Sequence, residues 1–265
     1  MLYRTEGIVL KTIPFGEADL IVYFLTHDCG LLRTFARSPL KTKSRFGSSL
    51  EPLTHSQIAF IGKEGTSLPR LTRSDIIHSF QLIRSEINYF IMVSEIIELT
   101  LKFIMEREVN RKIYTLFLET LCNIENNILE FQTYFLPKRN GQNLKARLDL
   151  YLIHYKIKLL RISGYAPKLD GCGKCGREAD RFFTSQGSVF CKKCSQRMEA
   201  PFVISKGVKK FYYNLLTWDI TKINRIRPSE MLLSELSDIL NAHIEYITSR
   251  TLNSKEFARF LASLF

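Results

Sequence analysis

Residues 6–26, EGIVLKTIPFGEADLIVYFLT, hold two short runs rich in β-branched and aromatic side chains on either side of Gly16-Glu17-Ala18-Asp19. Such runs read as strands, and the small polar tetrapeptide between them reads as their turn. Working outward, GLLRTFAR (30–37), SQIAFIG (56–62) and LPRLTRSDII (68–77) share that character and the same punctuation by Gly, Pro and Asp. Five short strands in the first 80 residues, without helical periodicity, predict a small closed barrel. The five-stranded OB-fold is the leading form and an SH3-like barrel the runner-up.

After Ile83 the period changes. Ile87, Phe90, Ile91, Ile97, Leu101 and Ile104 recur at three- and four-residue spacings and predict helices over 86–134. PKRNGQN (137–143) reads as a loop. Leu144, Leu148, Leu152, Tyr155 and Leu159 form one stripe of a helix over 144–162, which SGYAP (163–167) stops with Gly and Pro. Further helices are predicted over 205–217, from a cap at Ser229 to about Ser249, and from Ser254 onward. The fold class is therefore α+β. An OB-fold barrel over residues 1–80 precedes a helical domain over 81–265, and a lobe at 168–200 is inserted in that domain.

The lobe is read from CGKCGREADRFFTSQGSVFCKKC, residues 172–194. Cys172 and Cys175 form one C-x-x-C pair, and Cys191 and Cys194 form a second. Between them, Phe182, Phe183 and Val189, Phe190 flank a Ser-Gln-Gly turn, the pattern of a short hairpin that folds the second pair back on the first. Gly176, directly after Cys175, suits a knuckle turn with positive φ. Two such pairs point to one tetrahedral Zn²⁺. The rival is two disulfides, which the reducing cytosol disfavours. Four thiolates leave zinc no vacancy for water or substrate, so the ion is expected to be structural and its binding energy to be folding energy for the lobe.

The net charge is +12 and the isoelectric point about 9.4, which favours a polyanionic partner. The excess is even: residues 1–80, 81–165, 166–200 and 201–265 each carry three more basic than acidic residues. The local pattern singles out LLRTFARSPLKTKSRFGSSL (31–50). Arg33, Arg37, Lys41, Lys43 and Arg45 occur there with no acid among them, and strand alternation puts Arg33, Phe35 and Arg37 on one face. Single-strand binders combine cations that follow phosphates with rings that stack on bases. Phe35 and Phe46 are the ring candidates. Two readings stay open: a nucleic-acid face, or a solvated loop with Phe35 in the barrel core.

Signatures of catalysis are missing. There is no G-x-x-x-x-G-K-[ST], no G-x-S-x-G and no H-E-x-x-H, and the five histidines are scattered. MLYRTEGIVLKTI does not read as a secretory signal. The apolar segment 89–105 contains Glu95, Glu98 and Lys102 and fails as a membrane span. The expectation is a cytoplasmic, non-enzymatic protein with no membrane partner.

Three stretches carry a family resemblance: EGIVLKTIPFGEADLIVYFLT, GLLRTFARSPLKTKSRFGSSLEPL and RISGYAPKLDGCGKCG. Taken in order, with barrel, helices, cysteine lobe and helices, the chain resembles the bacterial recombination mediator family RecO over nearly its whole length. The resemblance implies binding of single- and double-stranded DNA and annealing of complementary strands. It further implies partnership with RecR, help in loading RecA onto DNA coated with single-strand-binding protein, and contact with the acidic tail of that coating protein. Lys145, Arg147, Lys156 and Lys158 are candidates for the tail contact, though solvated helix charges are the simpler account. An RNA-binding or translation-associated barrel with a structural zinc lobe is the alternative.

Overall fold

The computed structural model describes residues 1–41, 44–63, 68–134, 141–198 and 201–249, with backbone alone for 131–134 and 141–143. Five strands open the chain: β1 (Leu2–Phe15), β2 (Asp19–Thr26), β3 (Gly30–Ala36), β4 (His55–Ile61) and β5 (Arg70–His78). They close into a barrel in the order β1-β2-β3-β5-β4. All pairings are antiparallel except β3 with β5, which meet in parallel where Phe35 faces Arg70. This is the OB-fold arrangement, as expected.

Closure rests on β1. Its first half pairs with β4 (Leu2 opposite Ile61 through Ile8 opposite His55), and its second half pairs with β2 (Gly7 opposite Thr26 through Phe15 opposite Asp19). A bulge between Val9 and Lys11 bends the strand between its two partners. The interior holds Val9, Val22, Phe24, Leu32, Ile58 and Leu71, all buried. A 3-10 turn at Gly47–Leu50, on the path from β3 to β4, adds Phe46 and Leu50 to the same core.

Among the described residues, seven helices follow or interleave: α1 (Gln81–Ser85), α2 (Ile87–Phe103), α3 (Arg111–Tyr134), α4 (Gly141–Ile162), α5 (Lys206–Thr217), α6 (Ile220–Ile223) and α7 (Glu230–Thr248). Between α4 and α5 a three-stranded sheet, ordered β7-β6-β8, is built from β6 (Arg181–Phe183), β7 (Ser188–Phe190) and β8 (Phe202–Val203). The chain forms two compact units. One comprises Met1–Glu86 and Leu101–Cys122; the other comprises Ile87–Thr100 and the described residues from Asn123 on.

The predicted cap at Ser229 is in place, and Ser205 caps α5 in the same way. The Ser205 hydroxyl accepts from the Val208 N–H, and the Ser229 hydroxyl accepts from the Leu232 N–H. Of the expected stripe Leu233, Leu236, Leu240, Ile244 and Ile247, α7 buries the first four and leaves Ile247 half-buried, and it ends at Ser249 in the left-handed region. Two helices depart from their predicted stripes. α2 buries Tyr89, Met92, Val93, Ile96 and Leu99 and leaves Ile87 exposed, because a helix this rich in apolar residues offers more than one stripe. α4 starts three residues before the predicted start and has no solvent face through its middle: Ile153, His154, Tyr155, Lys156 and Ile157 are consecutive and all buried. The predicted helix from Ser254 lies outside the described residues.

Candidate nucleic-acid interface and metal centre

The outer face of β1, β2 and β3 is set by alternation and register. Lys11, Tyr23 and Arg33 stand in one row across the three strands; Ile13, Ile21 and Phe35 stand in the next, continued on β5 by Arg70. Arg33 and Phe35 are half-buried, while Lys11, Phe15, Arg37 and Arg70 are exposed. Phe35 lies outside the core and meets the Phe15 ring edge-on, with centroids 5.8 Å apart. Phe35 is therefore not a core residue. The core phenylalanine of this stretch is Phe46, which is 3% exposed in the barrel core and unavailable for stacking on a base.

The five cations differ in circumstance. Arg33 makes an ion pair with Glu106 at 2.9 Å, both side chains partly exposed. The strap that carries Glu106 lies along β3: Leu31 bridges Glu106, and the Leu31 carbonyl accepts from the Arg107 N–H at 3.1 Å. Gly30 makes room for that strap. It has φ +64°, and a Cβ there would fall 2.2 Å from the Glu108 carbonyl oxygen. Arg37 and Lys41 are exposed and make no ion pair among the described residues. The Arg45 guanidinium sits 4.8 Å from the Phe46 ring centroid. Lys43 lies outside the described residues. Lys11, Phe15, Tyr23 and Arg70 share the face and were not singled out from sequence. Every-other-residue alternation along residues 11–15 was the available signal for the first two.

The four cysteines converge. Their sulfurs all lie within 4.8 Å of one another, and Cys175 Sγ is 3.8 Å from Cys191 Sγ. A tetrahedron with metal–sulfur bonds of about 2.3 Å has edges of about 3.8 Å. None of the four forms a disulfide. Each pair sits on a knuckle. The Cys172 carbonyl accepts from Gly176 N–H at 2.8 Å, with Gly176 at φ +72°, and the Cys191 carbonyl accepts from Cys194 N–H at 3.0 Å. The β6–β7 hairpin turns through Thr184–Gln186 and Gly187 (φ +57°), bringing the second knuckle back to the first as the spacing predicted. These residues could hold one metal ion, and the soft, all-thiolate donor set suits zinc.

The lobe is seated on its own helices. The Tyr212 hydroxyl donates to the Pro167 carbonyl at 2.9 Å, and Lys209 Nζ donates to the Ala179 carbonyl. His243 of α7 stacks edge-on with Phe182, and its Nε2 is 2.9 Å from the Tyr165 carbonyl oxygen. Burial pushes the His243 imidazole below its ordinary range.

The α4 cations proposed for an acidic tail are mostly spent on structure. Arg147 is buried and donates to the carbonyls of Ile223 (3.0 Å) and Asn224 (2.9 Å) at the end of α6. Lys156 is 1% exposed and paired with Glu95 at 2.6 Å. Lys158 and Arg161 both donate to the Leu216 carbonyl near the end of α5. Lys145 alone of the four is exposed. No described helix is long and apolar enough to cross a membrane.

Residues 1–80 match the family model for the N-terminal part of Recombination protein O, and residues 141–256 match the model for its C-terminal part. DNA repair protein RecO of Thermodesulfovibrio yellowstonii is 40% identical over 92% of this chain and 92% of its own. The proteins of the same name from Syntrophus aciditrophicus and Symbiobacterium thermophilum are 30% and 29% identical, over 95% and 99% of this chain and 93% and 98% of theirs. With both halves matched in order around a closed barrel and a four-cysteine lobe, this chain belongs to the RecO family of DNA repair proteins.

Proposed function

We propose that the chain is a non-enzymatic recombination mediator working in the bacterial cytoplasm, at the nucleoid. It binds single- and double-stranded DNA and anneals complementary strands. With RecR it helps load RecA onto DNA coated by single-strand-binding protein, whose acidic tail it contacts. Residues 1–80 form the DNA-binding domain. Residues 81–265 form the helical domain, with the lobe at 168–200 held by one structural zinc on Cys172, Cys175, Cys191 and Cys194.

The observation that carries this reading is the outer face of β1–β3. The register that aligns Arg33 with Lys11 and Tyr23, and Phe35 with Arg70, supports it, with Arg37 exposed just after β3, because such a face of an OB barrel suits oligonucleotides. Arg33, Arg37, Lys41, Lys43 and Arg45 contact phosphates, and Phe35, backed by Phe15, offers a ring to a base. Neutralising phosphates on two strands lowers their repulsion and lets base pairing proceed without nucleotide hydrolysis.

Annealing of complementary strands coated with single-strand-binding protein, without ATP, tests the proposal. Wild type should anneal quickly, and an Arg33/Arg37/Lys41 triple alanine variant that still folds should lose most of that rate. With about four phosphate contacts on a single strand, log K should fall against log[salt] with a slope near −3. A slope near zero, or RNA outcompeting DNA for the face, would overturn it.

A further inference from the structure

The Gly16–Asp19 turn between β1 and β2 carries no cation, yet it holds the segment that does. One Asp19 carboxylate oxygen accepts from the Ser38 N–H at 2.6 Å, and the Ala18 carbonyl accepts from the Leu40 N–H at 3.3 Å. Ser38 has φ +55°. A residue with a Cβ stays in that left-handed region only where its surroundings fix it there. From Ser38 the segment runs through bonds from Lys41 N–H to the Ser38 carbonyl and from Ser44 N–H to the Lys41 carbonyl. It ends at Phe46, whose N–H donates to the Ser44 hydroxyl and whose ring is buried in the barrel core. The described ends of the basic segment are thus pinned, the start by Asp19 and the finish by Phe46.

We propose that Asp19 is the positioning residue of the nucleic-acid face. Its carboxylate grips the Ser38 amide, sets the reversal after β3, and directs Arg37 and Lys41 along the face that bears Phe35. This deepens the reading that the face binds DNA and rests on it. Charge alone assigns Asp19 the opposite effect, because a carboxylate beside Arg37 and Lys41 repels phosphate. Grip and repulsion therefore predict opposite signs, and a substitution separates them.

The test is binding of the full-length, metal-loaded protein to a fluorescent oligothymidylate over a range of salt concentrations. Wild type is compared with Asp19→Ala, Asp19→Asn, Asp19→Glu and Arg37→Ala. Asp19→Ala loses the acceptor and should bind roughly tenfold more weakly, with a salt slope flatter by about 1, since each single-strand phosphate contact contributes about 0.7. Asp19→Asn keeps an acceptor oxygen and loses the charge, so it should bind as tightly as wild type or more so. Asp19→Glu keeps the charge but misplaces the acceptor, and should fall with alanine. It decides the matter if the alanine variant does not fold.

A general loss of barrel stability would lower melting temperatures without changing the salt slope, and that result would overturn the positioning role. So would Asp19→Ala or Asp19→Glu binding like wild type while Arg37→Ala binds weakly. If Arg37→Ala also binds like wild type, the DNA-binding reading of this face fails first, and the role of Asp19 fails with it.

Discussion

Lys156 Nζ lies 2.6 Å from a Glu95 carboxylate oxygen, and the lysine is all but sealed from solvent, at 1% exposed. Asn241 accepts a second bond from the same ammonium at 2.8 Å. The pair links α2 to α4, with Asn241 adding α7. Removing one partner leaves a buried charge uncompensated, which typically costs about 3–5 kcal/mol, whereas replacing both by apolar side chains of similar volume is often neutral. Glu95→Leu alone should therefore destabilise strongly, and Glu95→Leu with Lys156→Met should recover most of the loss. Urea unfolding of the four members of the cycle checks this.

Stability should fall as the pH drops below 7. Burial, aided by the Lys158 charge, holds the His154 imidazole down at about 4, against the pull of the Trp218 carbonyl and Asp219. His243 and His55 are shifted in the same direction, chiefly by burial. For a histidine depressed in the folded state, the unfolded chain takes up the proton first. The stabilisation is complete above the unfolded value of about 6.5 and is lost as the pH falls toward the folded one. His154 alone should account for about 2 kcal/mol lost between pH 7 and pH 5. Unfolding curves at the two pH values should show the drop, and His154→Gln should remove a large part of it.

Glu106 holds half of the charge pair that occupies Arg33. Because the pair is partly exposed, its own contribution to stability is small. Glu106→Gln should leave the melting temperature nearly unchanged while freeing Arg33 and removing a negative charge from the rim of the face. The expected result is single-stranded DNA binding a few-fold tighter at low salt, with the gain shrinking as salt rises.

At Gly30 the same strap makes a purely structural demand. Gly30→Ala must hold φ +64° with a side chain and must also push away the Glu108 carbonyl. The expected cost is at least about 2 kcal/mol. Gly16→Ala, with φ +66° but nothing within 4 Å of the new Cβ, should cost less, and a comparison of the two melting temperatures isolates the strap.

The metal lobe should melt by itself. Cys172→Ser, or stripping the protein with a strong chelator, should lower the melting temperature and abolish stoichiometric zinc, because the ion's binding energy is folding energy for the hairpin and its two knuckles. Unchanged stability with full zinc content in Cys172→Ser would contradict a structural ion.

What was legible in the chain was what is local. The five strands announce themselves by composition and punctuation, and the cysteine lobe is fixed by spacing within 23 residues. The barrel order was not written locally, since the β3–β5 pairing joins Phe35 to Arg70 across the whole of β4. α4 reads as one-faced in the sequence because Lys156 and Lys158 look like solvated charges until Glu95 and the Leu216 carbonyl supply their partners. Phe46 looked like a stacking ring because it follows a run of cations; the 3-10 turn after it sends the ring inward. The grip of Asp19 on Ser38 spans 19 residues and leaves no periodic trace.

The parallel join of β3 to β5 gives the cylinder an uneven wall. Its other seams run the length of their strands, but this one has a single register pair, with Phe35 N–H donating to the Pro69 carbonyl at 2.8 Å. Thermal breathing of the barrel starts at such a join, so the Phe35 amide should take up deuterium sooner than the amides that β3 shares with β2. Phe35 and Arg70 flank the join on the outer surface. A DNA strand laid across them would suture the wall at its weakest stitch, and slowed exchange at that one amide would report occupancy of the face.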